Sequence, residues 1–146
     1  MTNGIMLRLA TSEDYAFALG LYLSTMRPYT EELMTWDERK QVTNFAAQWR
    51  LEDVRVIRVD GLDVGWLQAR ESSSEIFLQQ IFIAPGHQRA GIGTAVLRAL
   101  LAGWVTSGKP VVLTVLKNNP ARRLYERLGF AVAGEAGVKL EMRREP

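Results

Sequence analysis

One segment in the second half of the chain constrains the fold more than any other. From Ile81 to Thr94 it reads as a strand, a Pro-Gly break, a loop of small residues and the start of a helix. Glycines allow the backbone of such a loop to come close to a ligand, because no Cβ stands in the way. A helix that begins there has unpaired N–H groups in its first turn, which suit an anion and especially a phosphate. The segment therefore predicts a β-loop-α unit with an anion-binding loop.

Two familiar phosphate-binding loops do not match this segment. A Walker loop ends in Gly-Lys-Ser/Thr, and Gly93-Thr94 has no lysine between its residues. A dinucleotide-binding loop needs a third small residue where Val96 stands, and an acid about twenty residues further on, where the apolar run from Val111 begins. The first type is excluded and the second fits poorly.

The rest of the chain alternates short strands with amphipathic helices. Pro28 is predicted to end the first helix at about Met26, and Asp60-Gly61 predicts a two-residue hairpin. The predicted order is β-α-α-β-β-β-α-β-α-β-β, which indicates an α/β or α+β fold with a mixed sheet. The predicted strands are 5–9, 54–59, 64–69, 76–83, 111–116, 130–133 and 138–142, and the helices are 12–26, 37–49, 93–107 and 120–128.

Composition excludes several classes of protein. A length of 146 residues predicts a single domain, 1–146. The chain has no cysteine, so thiol nucleophiles, disulfides and thiolate metal sites are excluded, and with a single histidine, His87, no metal is expected. A net charge of +2 argues against nucleic acid as a partner. The apolar runs are too short for a membrane span, and a cytoplasmic location is expected.

Two motifs in this order resemble those of the GCN5-related N-acetyltransferase (GNAT) superfamily. Gln88 to Gly93 is similar to its pyrophosphate loop, Q/R-x-x-G-x-G/A, and Asn118 to Phe130 is similar to its second signature, N-x-x-A-x-x-x-Y-x-x-x-G-F. The resemblance extends over essentially the whole chain. It implies a mixed, mostly antiparallel sheet flanked by about four helices, and an enzyme that transfers an acetyl group from acetyl-CoA directly to an amine.

The resemblance also implies roles for particular residues. Tyr125 corresponds to the tyrosine that protonates the leaving CoA thiolate, and Asn118 to an asparagine that contacts the pantetheine arm. Asn119 is the natural N-cap before Pro120, and one residue of misregister would exchange these two roles, so both are candidates. The main chain of Ile81, Phe82 and Ile83 is expected to pair with pantetheine. The pyrophosphate is expected against Gln88, Arg89, Ala90, Gly91, Ile92, Gly93 and Thr94.

The general base and the acceptor stay open at this point. Many relatives have a glutamate on the strand before the loop, where this chain has Gln79-Gln80. Glu75, Glu32, Asp37, Glu38 and water are the candidate bases. The acceptor is expected to be a small-molecule or peptide amine, and a homodimer is one expected assembly. The alternative to an enzyme is a non-catalytic, regulatory module that binds acyl-CoA.

Overall fold

The computed structural model describes residues 4–88 and 90–146. In this part of the chain, seven strands and four α-helices follow one another in the predicted order. The strands are β1 (Ile5–Leu9), β2 (Val54–Val59), β3 (Leu62–Glu71), β4 (Ile76–Ile83), β5 (Val111–Leu116), β6 (Ala131–Ala136) and β7 (Lys139–Arg144). The helices are α1 (Tyr15–Leu33), α2 (Glu38–Gln48), α3 (Ile92–Trp104) and α4 (Ala121–Arg127). None of the described helices is long and apolar enough to cross a membrane.

The strands form one mixed sheet in the order β1-β2-β3-β4-β5-β7-β6. Only β4 and β5 run parallel, and the other neighbours are antiparallel. The predicted hairpin joins β2 to β3, with positive φ at both Asp60 (50°) and Gly61 (84°), as a type I′ turn requires. The predicted fold class is confirmed.

The parallel pair β4–β5 separates soon after it begins. Its register contains two residue pairs, Ile76 with Val111 and Phe77 with Val112. Beyond these two pairs, β4 continues to Ile83 and β5 continues to Leu116, but the two strands no longer pair with each other. A cleft therefore opens in the middle of the sheet.

A β-bulge lies on β4 at the start of this cleft. Gln68 of β3 pairs with Gln80, whereas the next residue, Ala69, pairs with Leu78, so Gln79 is the extra residue. A bulge changes the direction of the side chains around it and is common beside functional sites. Gln79 and Gln80, at this irregularity, both border the amide-lined cavity described below.

The two faces of the sheet carry separate cores. Helices α1 and α2 cover one face with an aromatic cluster centred on Trp66, Phe45 and Phe82. Helices α3 and α4 cover the other face with largely aliphatic clusters, one of which also contains the aromatic pair Tyr125 and Phe130. Because helices cover both faces of the sheet, the cleft between β4 and β5 lies between the helix layer of α1 and α2 and that of α3 and α4.

The predicted end of α1 at about Met26 is wrong, because the helix continues through Pro28 to Leu33. A proline inside a helix removes one backbone hydrogen bond and costs about 3 kcal/mol. Tertiary contacts offset this cost. Thr30 is buried, and the side-chain amide of Asn118 donates to the carbonyl oxygen of Tyr29 (3.0 Å).

Candidate active site

The edge of β4 that borders the cleft presents main-chain groups. The N–H of Ala84 donates to the carbonyl oxygen of Val64 on β3 (2.7 Å). Successive residues of a strand direct their main-chain groups to opposite sides, so those of Ile81 and Ile83 point away from β3 and into the cleft. Those of Phe82 point towards β3, against the expectation that they pair with pantetheine. One of the groups in the cleft is already engaged, since Gln88 Nε2 donates to the carbonyl oxygen of Ile83 (2.8 Å). The others are available to an extended ligand.

The glycine loop forms the start of α3. Gly91 is the residue before the first helical turn and has a φ of 78°, in the left-handed region that favours glycine. A Cβ built on Gly91 would meet no atom within 4 Å, so the space in front of it is open. The helical hydrogen bonds begin with Ala95 N–H to the Gly91 carbonyl (2.9 Å). The three N–H groups before Ala95 lack a helical acceptor, as an anion site requires.

A cavity of about 360 Å³, the glycine-loop cavity, lies between this loop, β4 and α4. It is bordered by most of the residues expected to bind CoA. Those residues are Ile81, Phe82, Ile83, Gln88, Gly91, Gly93, Thr94 and Asn119, and the expected catalytic residue Tyr125 also borders it.

Three of the residues expected to bind CoA do not border the glycine-loop cavity, and for Ala90 and Ile92 the expectation concerns the main-chain N–H groups, not the side chains. Ile92 is 7% exposed and packs in the core with Ile57 and Val64, because the first turn of α3 turns it inward. Ala90 is exposed and does not border the cavity. Asn118 is directed towards α1. Arg89 lies outside the described residues.

A second cavity of about 410 Å³, the amide cavity, lies between α1, α2 and the cleft. The two cavities meet at shared residues, among them Tyr125 and Asn119. The polar side chains of the amide cavity are Tyr22, Thr30, Lys40, Gln41, Asn44, Gln48, Gln79, Gln80, Thr114, Asn119, Tyr125 and Lys139.

Tyr125 is fixed at the junction of the two cavities. Its ring packs edge-on against Phe130 with 5.9 Å between ring centroids. The turn that brings Phe130 back requires Gly129, whose φ is 97°. Burial raises the pKa of Tyr125 to about 12 because it disfavours the phenolate. The phenol therefore keeps its proton at neutral pH.

The two asparagines of the second motif have different partners. Asn119 Oδ1 accepts from the N–H of Ala121 (2.9 Å) at the start of α4, the capping role expected of it. Asn118 Nδ2 donates to the Tyr29 carbonyl (3.0 Å) and to Glu32 Oε1 (2.5 Å). Of this pair, Asn119 is the one that borders both cavities.

Sequence reasoning missed a network of three glutamines, two of which, Gln48 and Gln79, border the amide cavity. Gln68 is 2% exposed, and its Nε2 donates to Gln79 Oε1 (2.7 Å) and to the Gln48 carbonyl (2.9 Å). Gln79 Nε2 donates to Gln48 Oε1 (3.2 Å). The signal in the sequence was a glutamine within the apolar run of β3, since a buried amide needs partners.

None of the candidate carboxylate bases borders either cavity. Glu32 is bonded to Asn118, and Asp37 caps α2 by accepting from the N–H of Lys40 (3.1 Å). Glu38 is exposed, and Glu75 precedes the first residue of β4. Residues 4–88 and 90–146 contain no group of three or more side chains that could hold a metal ion.

Solved structures with the same architecture include two archaeal proteins and one plant protein. Ard1 from Thermoplasma volcanium is 18% identical, with a TM-score of 0.71 and 97% of each chain covered. The PaiA N-acetyltransferase from Thermoplasma acidophilum, in complex with coenzyme A, is 15% identical, with a TM-score of 0.74 and coverage of 97% of this chain and 99% of that one. Naa50 from Arabidopsis thaliana, in complex with the bisubstrate analogue CoA-Ac-MVNAL, is 14% identical, with a TM-score of 0.67 and coverage of 98% and 99%.

The sequence itself matches a family model. The model of the acetyltransferase (GNAT) domain matches residues 50–132, more than half of the chain. This span contains the hairpin, the bulged strand β4, the glycine loop and Tyr125. The predicted family and enzyme class are confirmed: the chain belongs to the GNAT family of acetyltransferases.

Proposed function

We propose that the protein transfers an acetyl group from acetyl-CoA, its co-substrate, directly to an amine. The observation that carries the proposal is the cleft in the sheet, where the glycine-loop cavity and the amide cavity meet at Tyr125. A donor in the first cavity and an acceptor in the second would react at this junction. Holding both reactants in place converts a bimolecular step into an effectively unimolecular one.

The residues of the glycine-loop cavity fit the donor. The free N–H groups at the start of α3 suit a pyrophosphate, and the open space in front of Gly91 leaves room for it. The main-chain groups of Ile81 and Ile83 would pair with the amides of the pantetheine arm as an added strand does. When bound there, acetyl-CoA supplies an acyl group on a thiol leaving group.

In the reaction a C–N bond forms, the C–S bond breaks, and one proton of the amine finishes on the thiol. Tyr125 would donate a hydrogen bond to the sulfur as negative charge develops on it. Its pKa of about 12 exceeds the ordinary thiol value by about 3.5, so a complete transfer of its proton to a thiolate is uphill by about 5 kcal/mol. Tyr125 would therefore stabilise the sulfur by a hydrogen bond and relay a proton derived from the amine.

Water would accept the proton of the amine. No carboxylate or histidine of the described residues borders the amide cavity, which argues against Glu75, Glu32, Asp37 and Glu38 as bases. The amide side chains there would hold water by hydrogen bonds.

Calorimetric titration with acetyl-CoA tests the donor, with NADH and ATP as controls and Gly91→Glu as the matched variant. We expect micromolar binding of acetyl-CoA alone, lost in the variant. Thiol release with a panel of amines then tests transfer. Binding without thiol release from any amine would favour the alternative, a non-catalytic acyl-CoA-binding module. No binding by the folded protein would overturn the proposal.

A further inference from the structure

We propose that the acceptor is a small amine that also carries an anionic group, of which an amino acid is the simplest kind, and that Lys40 and Lys139 attract this group. The inference rests on the proposed transferase function and specifies the acceptor. It is drawn from the charges and hydrogen-bonding groups around the amide cavity.

The charged side chains that border the amide cavity have one sign. Among the described residues they are Lys40 from α2 and Lys139 from β7, and the other polar groups are amides and hydroxyls. An acceptor with additional ammonium groups, such as a polyamine, would meet two like charges and no carboxylate. A cation that loses water without gaining a counter-charge is strongly disfavoured. The amide cavity is therefore matched to an anion.

Both lysines are free to bind that anion. The chain has four lysines, and in its described part Lys109 and Lys117 form ion pairs, with Glu71 and Glu135. Lys40 and Lys139 take part in no ion pair there. The acid that lies nearest along β7 is Glu141, on the same face as Lys139 and paired in register with Thr114. It does not border the cavity, so the charged residues that do border it are both positive.

The size and position of the cavity favour a small molecule. About 410 Å³ is within the range of ordinary small-ligand sites. Tyr125, where the amine has to react, and the two lysines all border the cavity. An acceptor that reacts beside Tyr125 and is attracted by the lysines would be oriented by both contacts.

Thiol release with matched pairs of acceptors tests the inference at saturating acetyl-CoA. The pairs are L-alanine, L-methionine and L-phenylalanine, each beside its α-carboxamide, with 1,4-diaminobutane as the cationic probe. Each carboxamide keeps the size and shape of the acid but is neutral, with one acceptor oxygen replaced by an NH2 donor. Its amine gives up a proton more readily because the negative charge no longer stabilises the ammonium. A preference for the acid therefore cannot come from ionisation of the amine.

We expect kcat/KM for at least one amino acid to exceed that for its carboxamide about tenfold. In the double variant Lys40→Gln/Lys139→Gln the ratio should fall below about threefold, with unchanged affinity for acetyl-CoA. The matched control, Arg39→Gln/Arg98→Gln, removes two exposed cations that border neither cavity. It should keep the wild-type ratio.

The outcomes separate failure of this inference from failure of the proposed function. Faster turnover of 1,4-diaminobutane or of the carboxamides would overturn the inference and leave the transferase function intact. Loss of acetyl-CoA binding would instead remove the proposed function. If no amine of the panel reacts, the inference is tested by binding instead: the CoA-bound protein is titrated with N-acetyl-L-methionine and with N-acetyl-L-methioninamide, and the two affinities are compared. Tighter binding of the acid that depends on both lysines supports the inference, and equal or absent binding overturns it.

Discussion

The two cavities that meet at Tyr125 are built in different ways. The glycine-loop cavity presents main-chain groups, supplied by a strand edge, a left-handed glycine and the first turn of α3. The amide cavity presents side chains from three strands, β4, β5 and β7, and from helices α1, α2 and α4. Main-chain groups bind features common to every molecule of a class, whereas side chains determine which molecule is chosen. The comparison indicates that the main chain of this fold is suited to one kind of donor, whereas the choice of acceptor depends on the side chains of the amide cavity.

Gly91→Glu should have the largest effect and acts on the cavity built from main-chain groups. Nothing lies within 4 Å of a Cβ at this position, so the carboxylate would extend into the space proposed for the pyrophosphate. We expect the affinity for acetyl-CoA to fall at least about 100-fold, or about 2.7 kcal/mol. Calorimetric titration measures the loss.

Gly91→Asn is the control for backbone strain. Asparagine tolerates a positive φ better than most residues and brings no charge. Its affinity should stay within about tenfold of wild type. Equal weakening by both variants would attribute the effect to the backbone and remove the argument about charge.

Tyr125→Phe tests the junction of the two cavities. The phenyl ring preserves the packing against Phe130 and removes the hydrogen bond that we propose Tyr125 donates to the leaving sulfur. We expect kcat to fall about 100-fold, the low end for acid–base catalysis because thiolates leave readily, with acetyl-CoA affinity within about threefold. Steady-state thiol release gives kcat, and titration gives the affinity. Unchanged kcat would assign proton relay to water alone.

The same residue sets an expectation for pH dependence. Burial raises the pKa of Tyr125 to about 12, so the phenol stays protonated as the pH rises through the neutral and mildly alkaline range. Any change of rate between pH 6 and 10 should therefore persist in Tyr125→Phe. A change that disappears in the variant would show that the phenol titrates in this range.

The contrast between the cavities also explains what the sequence predicts. The glycine loop is local, and its pattern of strand, glycines and helix is contained in consecutive residues, so it was found without a structure. The amide cavity joins residues from Tyr22 to Lys139. The sequence shows that Gln79-Gln80 stands where many relatives have a glutamate. It does not show that the side chains of Gln68 and Gln48 hydrogen-bond to Gln79 and hold it in place.

Pro28 illustrates the same limit in the fold. The local rule predicts the end of a helix there, and it fails because Asn118 bonds to the last turns of α1 from 89 and 86 positions away in the chain. A contact between residues so far apart in the chain leaves no pattern in the residues around Pro28 from which it could be predicted. Short-range rules therefore predict the strands, turns and caps of this chain better than the residues that close its cleft.

Alanine substitutions at Asn118 and Asn119 should have the smallest effects and separate support from binding. Asn118→Ala removes two hydrogen bonds that hold α1 and borders neither cavity, so we expect a loss of about 1–2 kcal/mol in the free energy of unfolding with unchanged acetyl-CoA affinity. Asn119→Ala removes the cap of α4, at about 1 kcal/mol, and also alters the wall of both cavities. Urea denaturation and titration distinguish them. Weaker acetyl-CoA binding in Asn118→Ala alone would assign the pantetheine contact to Asn118, and the donor site would then depend on side chains as the acceptor site does.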